Sequence, residues 1–537
     1  MSFRKLFGIL FFAFITSFAV AQSYHNEWID YSKTYYKFKV GGFGTDVVNG
    51  SAILKKGIVR IPYSTLAAAG MGGVASEAFQ LWRDGEEVPV YISKPSGLLS
   101  GSDYIEFWGE VNNGKLDKEL YRDPSHQLSD YWSLQTDTAA YFLTVNNSNN
   151  NKRFQNQSFN LSGNSLTPEP YFIHTVGRYF RAELLNGFSA VAGQNIYSSS
   201  YDMGEGFTSR AVRPNSCGTQ PQLPQNFFNL HPYVGTTDVP APDMTMRMNC
   251  VGNAPNSRTI KVLLNNDSIT RFQMDYFYDN RVEQNIPLSK INSGTANFVV
   301  INESSANCDE FRISMIELSY ARQFDFDNAP TFSFNVNASG SAKYIEIKDF
   351  DYGGIQPVIY DIAHGTRYLG DISTPGTVKL LLEPSETPYN LVINSQAGAY
   401  YKTINSLQTR NFVNYASAAN QGDYLIISNP LIYGAGSKNY VQQYSDYRKS
   451  ETGGSYQPLI VDVNELVDQF AWGIKKHPLS IKGFLKFARA NFSTAPKFVF
   501  LLGKGLAYNA YRNNETNALA DQLNLVPSWG YPASDNL

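Results

Sequence analysis

The chain has 537 residues, of which 43% are hydrophobic and 17% are charged, and its formal net charge at pH 7 is −3. At about 150 residues per domain, this length predicts several domains rather than one core. The lysines and arginines are scattered, without the clusters that neutralise phosphates, so the sequence excludes a nucleic-acid-binding protein. The 35 tyrosines and 35 phenylalanines favour β-strands with half-buried faces.

Residues 1–21 are predicted to be a secretory signal peptide. Arg4 and Lys5 precede an apolar stretch that ends at residue 18, and Ala-Val-Ala at 19–21 supplies the small-x-small pattern for cleavage before residue 22. The alternative is an uncleaved membrane anchor, but the apolar stretch is short for a span of about 20 residues. We therefore expect an exported protein of the periplasm, the outer membrane or the cell surface.

Three β-rich regions follow in chain order, at 22–160, 165–325 and 330–410. In the first, "TYYKFKV" alternates apolar and polar residues, and "FQLWRDGEEVPVYIS" carries Asp84-Gly85 at the centre of a predicted hairpin. In the second, well-separated strands such as 245–252 and 311–322 suit a sandwich or jelly roll. In the third, short strands between 341 and 395 predict a smaller sandwich.

The three cysteines are Cys217, Cys250 and Cys308, all in the second region. After export they could form one disulfide and leave one thiol, and the sequence does not choose among the three pairings. One of them could instead be a catalytic nucleophile. No histidine is close to any of them in sequence, so a structural or idle role is favoured.

From residue 420 to 537 the pattern changes to that of an α/β domain. "DYLIISNP", "QPLIVDVN" and "KFVFLLG" are continuous apolar runs that predict buried strands, and helical stretches lie between them at 437–450 and 465–492. The second helical stretch is broken at Gly473 and Pro478. Buried strands that alternate with helices indicate a parallel sheet covered on both faces.

This C-terminal part resembles the gingipain-type cysteine peptidases. "DYLIISNP" looks like the first strand of that family, "VDVNELVDQFAWGIKKHPLSIKGFLKFA" like its acidic-aromatic-Gly stretch, Pro and amphipathic helix, and "KFVFLLGKG" like the next strand and its Gly turn. "VPSWGYPASDNL" resembles the Pro-aromatic-x-Ser-Asp segment that follows. The resemblance implies a caspase-like parallel sheet.

The β-rich part resembles the N-terminal region of PorU-type sortases of the Bacteroidetes type IX secretion system, in "NEWIDYSKTYYKFKV", "GSDYIEFWGE" and "DKELYRDPSHQLSDYWSLQTDTAAYFLTVN". In that group β domains precede a gingipain-like domain. The resemblance implies a secreted cysteine peptidase that removes C-terminal sorting signals from cargo proteins. Its partners would be that cargo and other secretion components.

The sequence departs from the family at the catalytic pair, a histidine in a Gly-His-Gly turn and a cysteine after a later buried strand. None of the six histidines lies in such a turn, and all three cysteines precede the α/β region. His364 lies in the small sandwich and His477 between two helices. The expectation is a fragment that stops before the catalytic residues, with no catalytic residue assigned and no activity alone.

Ser534 and Asp535 are the positions that the resemblance places nearest to the missing site. They would lie in a loop at the C-terminal edge of the sheet, where α/β folds bind ligands. The alternative is an ordinary turn stabilised by the Asp or Ser side chain.

No cofactor or metal site is predicted. Gly503 and Gly505 lack the spacing of a phosphate-binding loop, so a tight strand-to-loop turn is expected there. Asp123, Asp130 and Asp137 are too spread for a calcium loop.

Two other functions stay open on the sequence alone. A secreted β-sandwich binding protein could use Trp82, Trp108 and Trp132 to stack on sugars, although such aromatics more often belong to a core. A non-catalytic component of a secretion machine could use the same fold without the chemistry.

Overall fold

The structure is a computed structural model that describes residues 23–43, 55–148, 150–187, 200–214, 217, 222–397, 401–433, 438–514 and 516–529. The predicted signal peptide at 1–21 lies outside these residues. Within them, no helix is both long and apolar enough to cross a bilayer.

The first β-rich region contains short strands and one short helix. The turn at Asp84-Gly85 has positive φ at both residues, 50° and 76°, which confirms the predicted hairpin. The elements are β1 Tyr35–Val40, β2 Lys56–Pro62, α1 Tyr63–Ala68, β3 Phe79–Arg83, β4 Glu86–Val88, β5 Tyr91–Ile92, β6 Tyr104–Glu110, β7 Ala139–Val145 and β8 Gln155–Asn156.

The second region contains the longest strands. In β14 every second side chain is buried, as the alternation of the sequence predicts. The strands are β9 Phe172–Tyr179, β10 Glu183–Asn186, β11 Glu205–Thr208, β12 Gln222–Phe227, β13 Met244–Gly252, β14 Ser257–Leu264, β15 Asp267–Asp275, β16 Asp279–Ile286, β17 Ala296–Asn302 and β18 Phe311–Arg322.

These strands form the central sandwich. Its two sheets have the orders β16-β13-β18-β9 and β12-β17-β14-β15, with the adjacent strands antiparallel. The core between them is apolar and fully enclosed: Met246, Met248, Val262, Phe298 and Ile316 each have 0% exposure.

The strands of the third region are shorter than those of the second, as the sequence predicts. The last strands of this region belong to another unit. The strands are β19 Asp325–Ala329, β20 Thr331–Val336, β21 Lys343–Phe350, β22 Val358–Asp361, β23 Thr366–Leu369, β24 Thr377–Leu382, β25 Tyr389–Asn394, β26 Tyr401–Thr403 and β27 Gln408–Arg410. The small sandwich comprises the sheets β19-β21-β24 and β20-β25-β22-β23-β8.

The first sandwich corrects one predicted boundary. Its sheets have the orders β27-β1-β7-β3-β4 and β26-β2-β6-β5. Residues 401–410, which the sequence pattern assigns to the small sandwich, therefore return to the first sandwich and form one edge of each sheet. Conversely, β8 pairs with β23 of the small sandwich. Strands of two or three residues are too short to show a hydrophobic period in the sequence. They are therefore recognised only from the strands with which they pair.

The α/β unit begins at β28, and its strands are all parallel in the order β29-β28-β30. Helices cover both faces, which confirms the predicted layer pattern. The elements are β28 Tyr424–Ser428, α2 Pro430–Tyr433, α3 Tyr440–Lys449, β29 Pro458–Asp462, α4 Val463–Phe470, α5 Leu479–Asn491, β30 Phe498–Leu502, α6 Tyr508–Arg512 and α7 Ala518–Leu523.

The prediction that β30 is a buried strand is wrong for the described residues. Phe498 is 46% exposed and Val499 is 42% exposed, because β30 forms an edge of this sheet. By contrast, every residue of the central strand β28 is buried. An apolar run predicts a strand but does not distinguish the centre of a sheet from its edge.

Residues 23–31 lie against the α/β unit. The ring of Tyr24 meets the ring of Phe487 edge-on at 5.6 Å. The indole N–H of Trp472 donates to the carbonyl of His25 at 3.0 Å, and the Tyr31 hydroxyl donates to Gln469 at 3.1 Å. The start of the described chain is therefore part of the contact between the first sandwich and the α/β unit.

Buried polar pairs complete this contact, which we call the junction. His477 Nε2 lies 3.0 Å from Asp117 Oδ1, and both side chains are at most 1% exposed. Arg410 Nη2 lies 2.9 Å from Glu465 Oε2. Gly473 has φ of +77°, and a Cβ there would come within 2.6 Å of the Ala140 Cβ in β7. The absence of a side chain at Gly473 lets the α4–α5 connection approach the first sandwich.

Candidate functional site

The candidate site is the carboxyl edge of the parallel sheet. Ser428 at the end of β28 is in register with Asp462 at the end of β29 and with Leu502 at the end of β30. All three strands therefore deliver their following loops to one edge, which is where open α/β sheets bind ligands.

The polar groups that follow β28 fix the loops of this edge. Ser428 Oγ donates to the carbonyl of Leu502 at 2.7 Å. The Asn429 side-chain amide donates to the carbonyl of Leu525 at 3.2 Å, and its oxygen accepts from the Leu431 N–H at 3.1 Å. Ser428 and Asn429 are buried, so their role here is to hold the backbone in place.

Asp462 is the titratable group at this edge. Its carboxylate accepts from the Asn464 N–H at 2.8 Å and so caps helix α4. Burial raises the pKa of Asp462, whereas the hydrogen bonds from Asn464 and the positive charge of Arg410 lower it.

The Gly503–Gly505 turn is filled by the chain itself. The Lys504 carbonyl accepts from the N–H groups of Leu525 and Val526 at 2.8 and 3.0 Å. A Cβ at Gly505 would lie 2.8 Å from the Val526 carbonyl oxygen. The glycines therefore allow two backbone segments to pack closely, as the predicted strand-to-loop turn requires.

The predicted site residues Ser534 and Asp535 lie outside the described residues, so their roles remain predictions. The segment just before them is held firmly. Ser528 Oγ donates to the Leu506 carbonyl at 2.6 Å, and the indole N–H of Trp529 donates to the Leu120 carbonyl at 3.1 Å. This loop is thereby anchored to the first β-rich region.

None of the three cysteines is placed as a nucleophile. Cys217 and Cys308 form a disulfide across 91 residues, which selects one of the three pairings. Cys250 is the remaining thiol, and it is buried in the core of the central sandwich. Burial raises the pKa of Cys250 to about 12, so it is a neutral thiol at physiological pH.

Neither histidine that the sequence singles out lies beside a cysteine. His477 is in the junction with Asp117. His364 lies between Asp361 and Ser385, with Nε2 at 3.0 Å from Ser385 Oγ. Ser385 Oγ also lies 2.7 Å from the Thr387 carbonyl, to which its hydroxyl donates in a turn. His364 therefore joins two turns of the small sandwich.

The tryptophans are not arranged as sugar-stacking platforms. Trp108 is 9% exposed and Trp132 is 6% exposed, so both belong to cores. Trp82 is half-buried and its ring lies 6.0 Å from that of Trp28. A stacking platform needs an open ring face, so the interpretation of these residues as a glycan site is wrong for Trp108 and Trp132.

The aspartates considered for calcium have other partners. Asp123 accepts from the Ser125 N–H at 2.9 Å, and Asp137 pairs with Arg181 and Arg512 at 2.6 Å each. Across the part of the chain that the structure describes, no group of three or more His, Cys, Asp or Glu side chains could hold a metal ion.

A sequence model described as Peptidase family C25 matches residues 417–537, the whole α/β region. The α/β region is therefore similar to peptidase family C25. No curated protein matches the chain.

A PorU shares the fold of this chain over its β-rich part as well as its α/β region. The crystal structure of dimeric latent PorU from Porphyromonas gingivalis has a TM-score of 0.55 and 12% sequence identity to this chain. The match covers 94% of this chain and 45% of that PorU, so the chain spans less than half of its length. At this identity the match shows a common fold: β-rich units followed by a partly parallel sheet.

Two carbohydrate-binding modules also match parts of the chain. The CBM36-1 domain of a xylanase from the hindgut metagenome of Trinervitermes trinervoides has a TM-score of 0.17 and 8% identity, covering 27% of this chain and 95% of that one. A module from a Ruminococcus flavefaciens glycoside hydrolase has a TM-score of 0.13 and 12% identity, covering 21% and 98%. Scores this low support no conclusion about fold or function.

Proposed function

We propose that this chain forms the β-rich front and the start of the peptidase domain of a PorU-type, gingipain-like cysteine peptidase. Its substrates are exported cargo proteins of a type IX secretion system, from which it cleaves C-terminal sorting signals. The observation that carries this proposal is the family C25 match on residues 417–537, directly behind β units with the PorU fold.

The proposed thiol catalysis needs both residues of this chain and residues outside it. Thiol catalysis needs a thiolate, an imidazole that takes its proton, and backbone N–H donors for the oxyanion. Because Cys217 and Cys308 are bonded and Cys250 is a buried neutral thiol, the nucleophile comes from outside the described residues. This chain contributes the carboxyl edge of the sheet and the β units that hold it.

The site of action is the periplasm, the outer membrane or the cell surface. The predicted signal peptide supports export, and the Cys217–Cys308 disulfide suits an oxidising compartment. The partners are cargo proteins and other components of the secretion system.

A second candidate is a non-catalytic component of the same machine. The observation that favours it is the lack of an accessible thiol among the three cysteines of the chain. The two candidates share the fold and the location, and they differ in whether the protein forms a covalent intermediate with its substrate.

The test uses the bacterium that encodes the chain. Deleting the gene is expected to leave cargo with uncleaved C-terminal signals, measured by mass spectrometry of cargo C-termini, and reintroducing the gene should restore cleavage. Normal cargo processing in the deletion strain would contradict a role in this cleavage.

A covalent probe then separates the two candidates. We expect a peptidyl vinyl sulfone to label the native protein, purified from cell envelopes, on a cysteine other than Cys217, Cys250 and Cys308. Restored cargo cleavage without any covalent label would favour the non-catalytic component.

A further inference from the structure

A groove runs along the junction between the first sandwich and the α/β unit. Three cavities of about 430, 320 and 330 Å³ adjoin one another there, and Lys39 lines all three. The first and third cavities also share Lys37, and the second and third share Lys475. We call this continuous space the junction groove.

The junction groove opens at the candidate active edge. Asp462, the last residue of β29, lines one of the cavities together with Leu525 and Pro527 from the anchored loop. A ligand in the groove would therefore reach the edge of the sheet where the peptidase chemistry is expected.

The lining of the groove is cationic, although the chain as a whole has a net charge of −3. Among the described residues that line the three cavities, six are cations and three are carboxylates. The cations are Lys37, Lys39, Lys402, Arg410, Lys475 and Lys476.

Part of this charge is neutralised within the protein. Asp468 pairs with both Lys37 and Arg410. Lys475 lies 2.7 Å from Asp521. These ion pairs therefore neutralise only some of the cations that line the groove.

Three ammonium groups have no carboxylate partner among the described residues. Lys402 Nζ donates to the carbonyls of Gly41 and Gly42 at 3.2 and 3.1 Å, and Lys476 Nζ donates to the Asn524 carbonyl. Lys39 is exposed in the groove. Although Lys39 remains partly open to solvent, the burial that it has, and then the positive charges of Lys37 and Lys475, lower its pKa, whereas Asp468 and Asp521 raise it. A bound anion would relieve the repulsion among the three lysines.

The shape favours a chain of anions over one compact anion. The unneutralised lysines are distributed along adjoining cavities instead of converging on one point. One wall includes β27, whose Gln408 and Arg410 line the groove on the same face of the sheet as Lys37 and Lys39.

We propose that the junction groove binds an extended acidic segment of the protein substrate and leads it to the carboxyl edge of the parallel sheet. This inference rests on the proposed peptidase function, because it names the substrate class of that same site. The acidic side chains pair with Lys39, Lys402 and Lys476.

The experiment measures binding to the full chain by fluorescence anisotropy. The probe is a fluorescein-labelled peptide of alternating Asp and Val, and the comparison peptide replaces each Asp by Asn. We expect the Asp peptide to bind and the Asn peptide to bind at least about tenfold more weakly, since several ion pairs are lost together. Equal binding of the two peptides would overturn the proposal.

Two triple variants with the same change in net charge locate the site. Lys39→Glu, Lys402→Glu and Lys476→Glu together should weaken binding of the Asp peptide about tenfold or more. Lys118→Glu, Lys348→Glu and Lys449→Glu, at exposed positions outside the groove, should change it less than about twofold. Equal loss in both triples would mean that only net charge matters, which contradicts a site in the groove.

Two further controls keep the test decisive. Lys39→Gln removes a positive charge that has no carboxylate partner among the described residues, so it should fold normally and still weaken binding, even if the triple variant does not fold. Inorganic polyphosphate should compete poorly with the Asp peptide. Tighter binding of polyphosphate than of the peptide would assign the groove to a non-peptide anion.

The outcome is independent of catalysis, so the two proposals can fail separately. Peptide binding together with normal cargo processing in the deletion strain would contradict the proposed function and leave an acidic-peptide groove. Defective cargo processing without peptide binding would contradict only the groove.

Discussion

The central sandwich and the junction both combine apolar packing with buried polar pairs, but in different proportions. The core of the central sandwich consists of interdigitating apolar side chains such as Met246, Met248 and Ile316. The junction adds buried polar pairs, above all Asp117 with His477, to a smaller apolar cluster that includes Leu120, Ile474 and Leu479. Apolar packing is non-directional and tolerates small changes of shape, whereas a buried polar pair fails when one partner is altered. The position of the α/β unit therefore depends on these polar pairs as well as on apolar packing.

The largest effect is expected from Asp117→Asn, which keeps the volume and removes the charge. Asp117 accepts from His477, from Ser133 Oγ at 3.3 Å and from the Leu134 N–H at 2.6 Å. The new amide would turn N–H groups toward these donors, so we expect a loss of about 3 kcal/mol in the free energy of unfolding. Urea denaturation measures it.

The matched control is Asp123→Asn, the same change at an exposed residue that caps a short helix. Because Asn caps helices as well as Asp does, the control should stay within about 0.5 kcal/mol of the wild type. Equal effects of the two substitutions would contradict the role of Asp117 in the junction.

The second effect depends on pH and concerns Glu205, which lies where β11 meets α6. Burial raises the pKa of Glu205 from 4.5 to about 8. Between these values the folded protein keeps a proton that the unfolded chain has lost, so stability falls as pH rises, by up to about 1.4 kcal/mol per pH unit. Glu205→Gln should remove this loss, and unfolding measured from pH 5 to pH 8 checks it.

The exposed Glu283→Gln is the control for this titration, because Glu283 lies on the outer face of the central sandwich. Its stability should follow that of the wild type across the same pH range. A Glu205→Gln variant with the pH dependence of the wild type would show that Glu205 is ionised in the folded protein.

A smaller effect is expected from Ile316→Val in the central sandwich. Ile316 is 0% exposed, and the substitution removes one methylene group from the apolar core. The expected cost is about 1 kcal/mol, measured by the same urea denaturation. A cost above that of Asp117→Asn would reverse the contrast between the core and the junction.

The smallest effect is expected from Val499→Lys on the edge strand β30. Val499 is 42% exposed, and a lysine on an edge strand is well tolerated. The free energy of unfolding should change by less than about 0.5 kcal/mol. A loss of several kcal/mol would show that this edge is covered in the folded protein.

The sequence predicts elements with a clear period or a clear turn signal. Asp84-Gly85 marks its hairpin because few residue pairs adopt positive φ at both positions. The alternation of β14 identifies a half-buried strand, and the continuous apolar run of β28 identifies a strand whose full burial only the strand order shows. The family resemblance of the C-terminal region rests on the same local patterns.

The sequence fails where structure depends on distant partners. Residues 401–410 join the first sandwich through very short strands that pair with its other strands. Strands of two or three residues are too short to show a hydrophobic period in the sequence. Asp117 and His477 are 360 positions apart, and the lysines of the junction groove come from both ends of the chain. Local patterns contain no information on such pairs, so the groove and the pairing of Cys217 with Cys308 emerge only from the fold.

The most direct test of the account is hydrogen exchange on the full chain, comparing the wild type with Asp117→Asn. The account predicts that helices α4 and α5 and residues 116–134 lose protection together, while strands β13 and β18 keep theirs. Unchanged exchange in α4 and α5, or an equal loss in the central sandwich, would contradict the claim that the pair of Asp117 and His477 helps to hold the α/β unit on the β units.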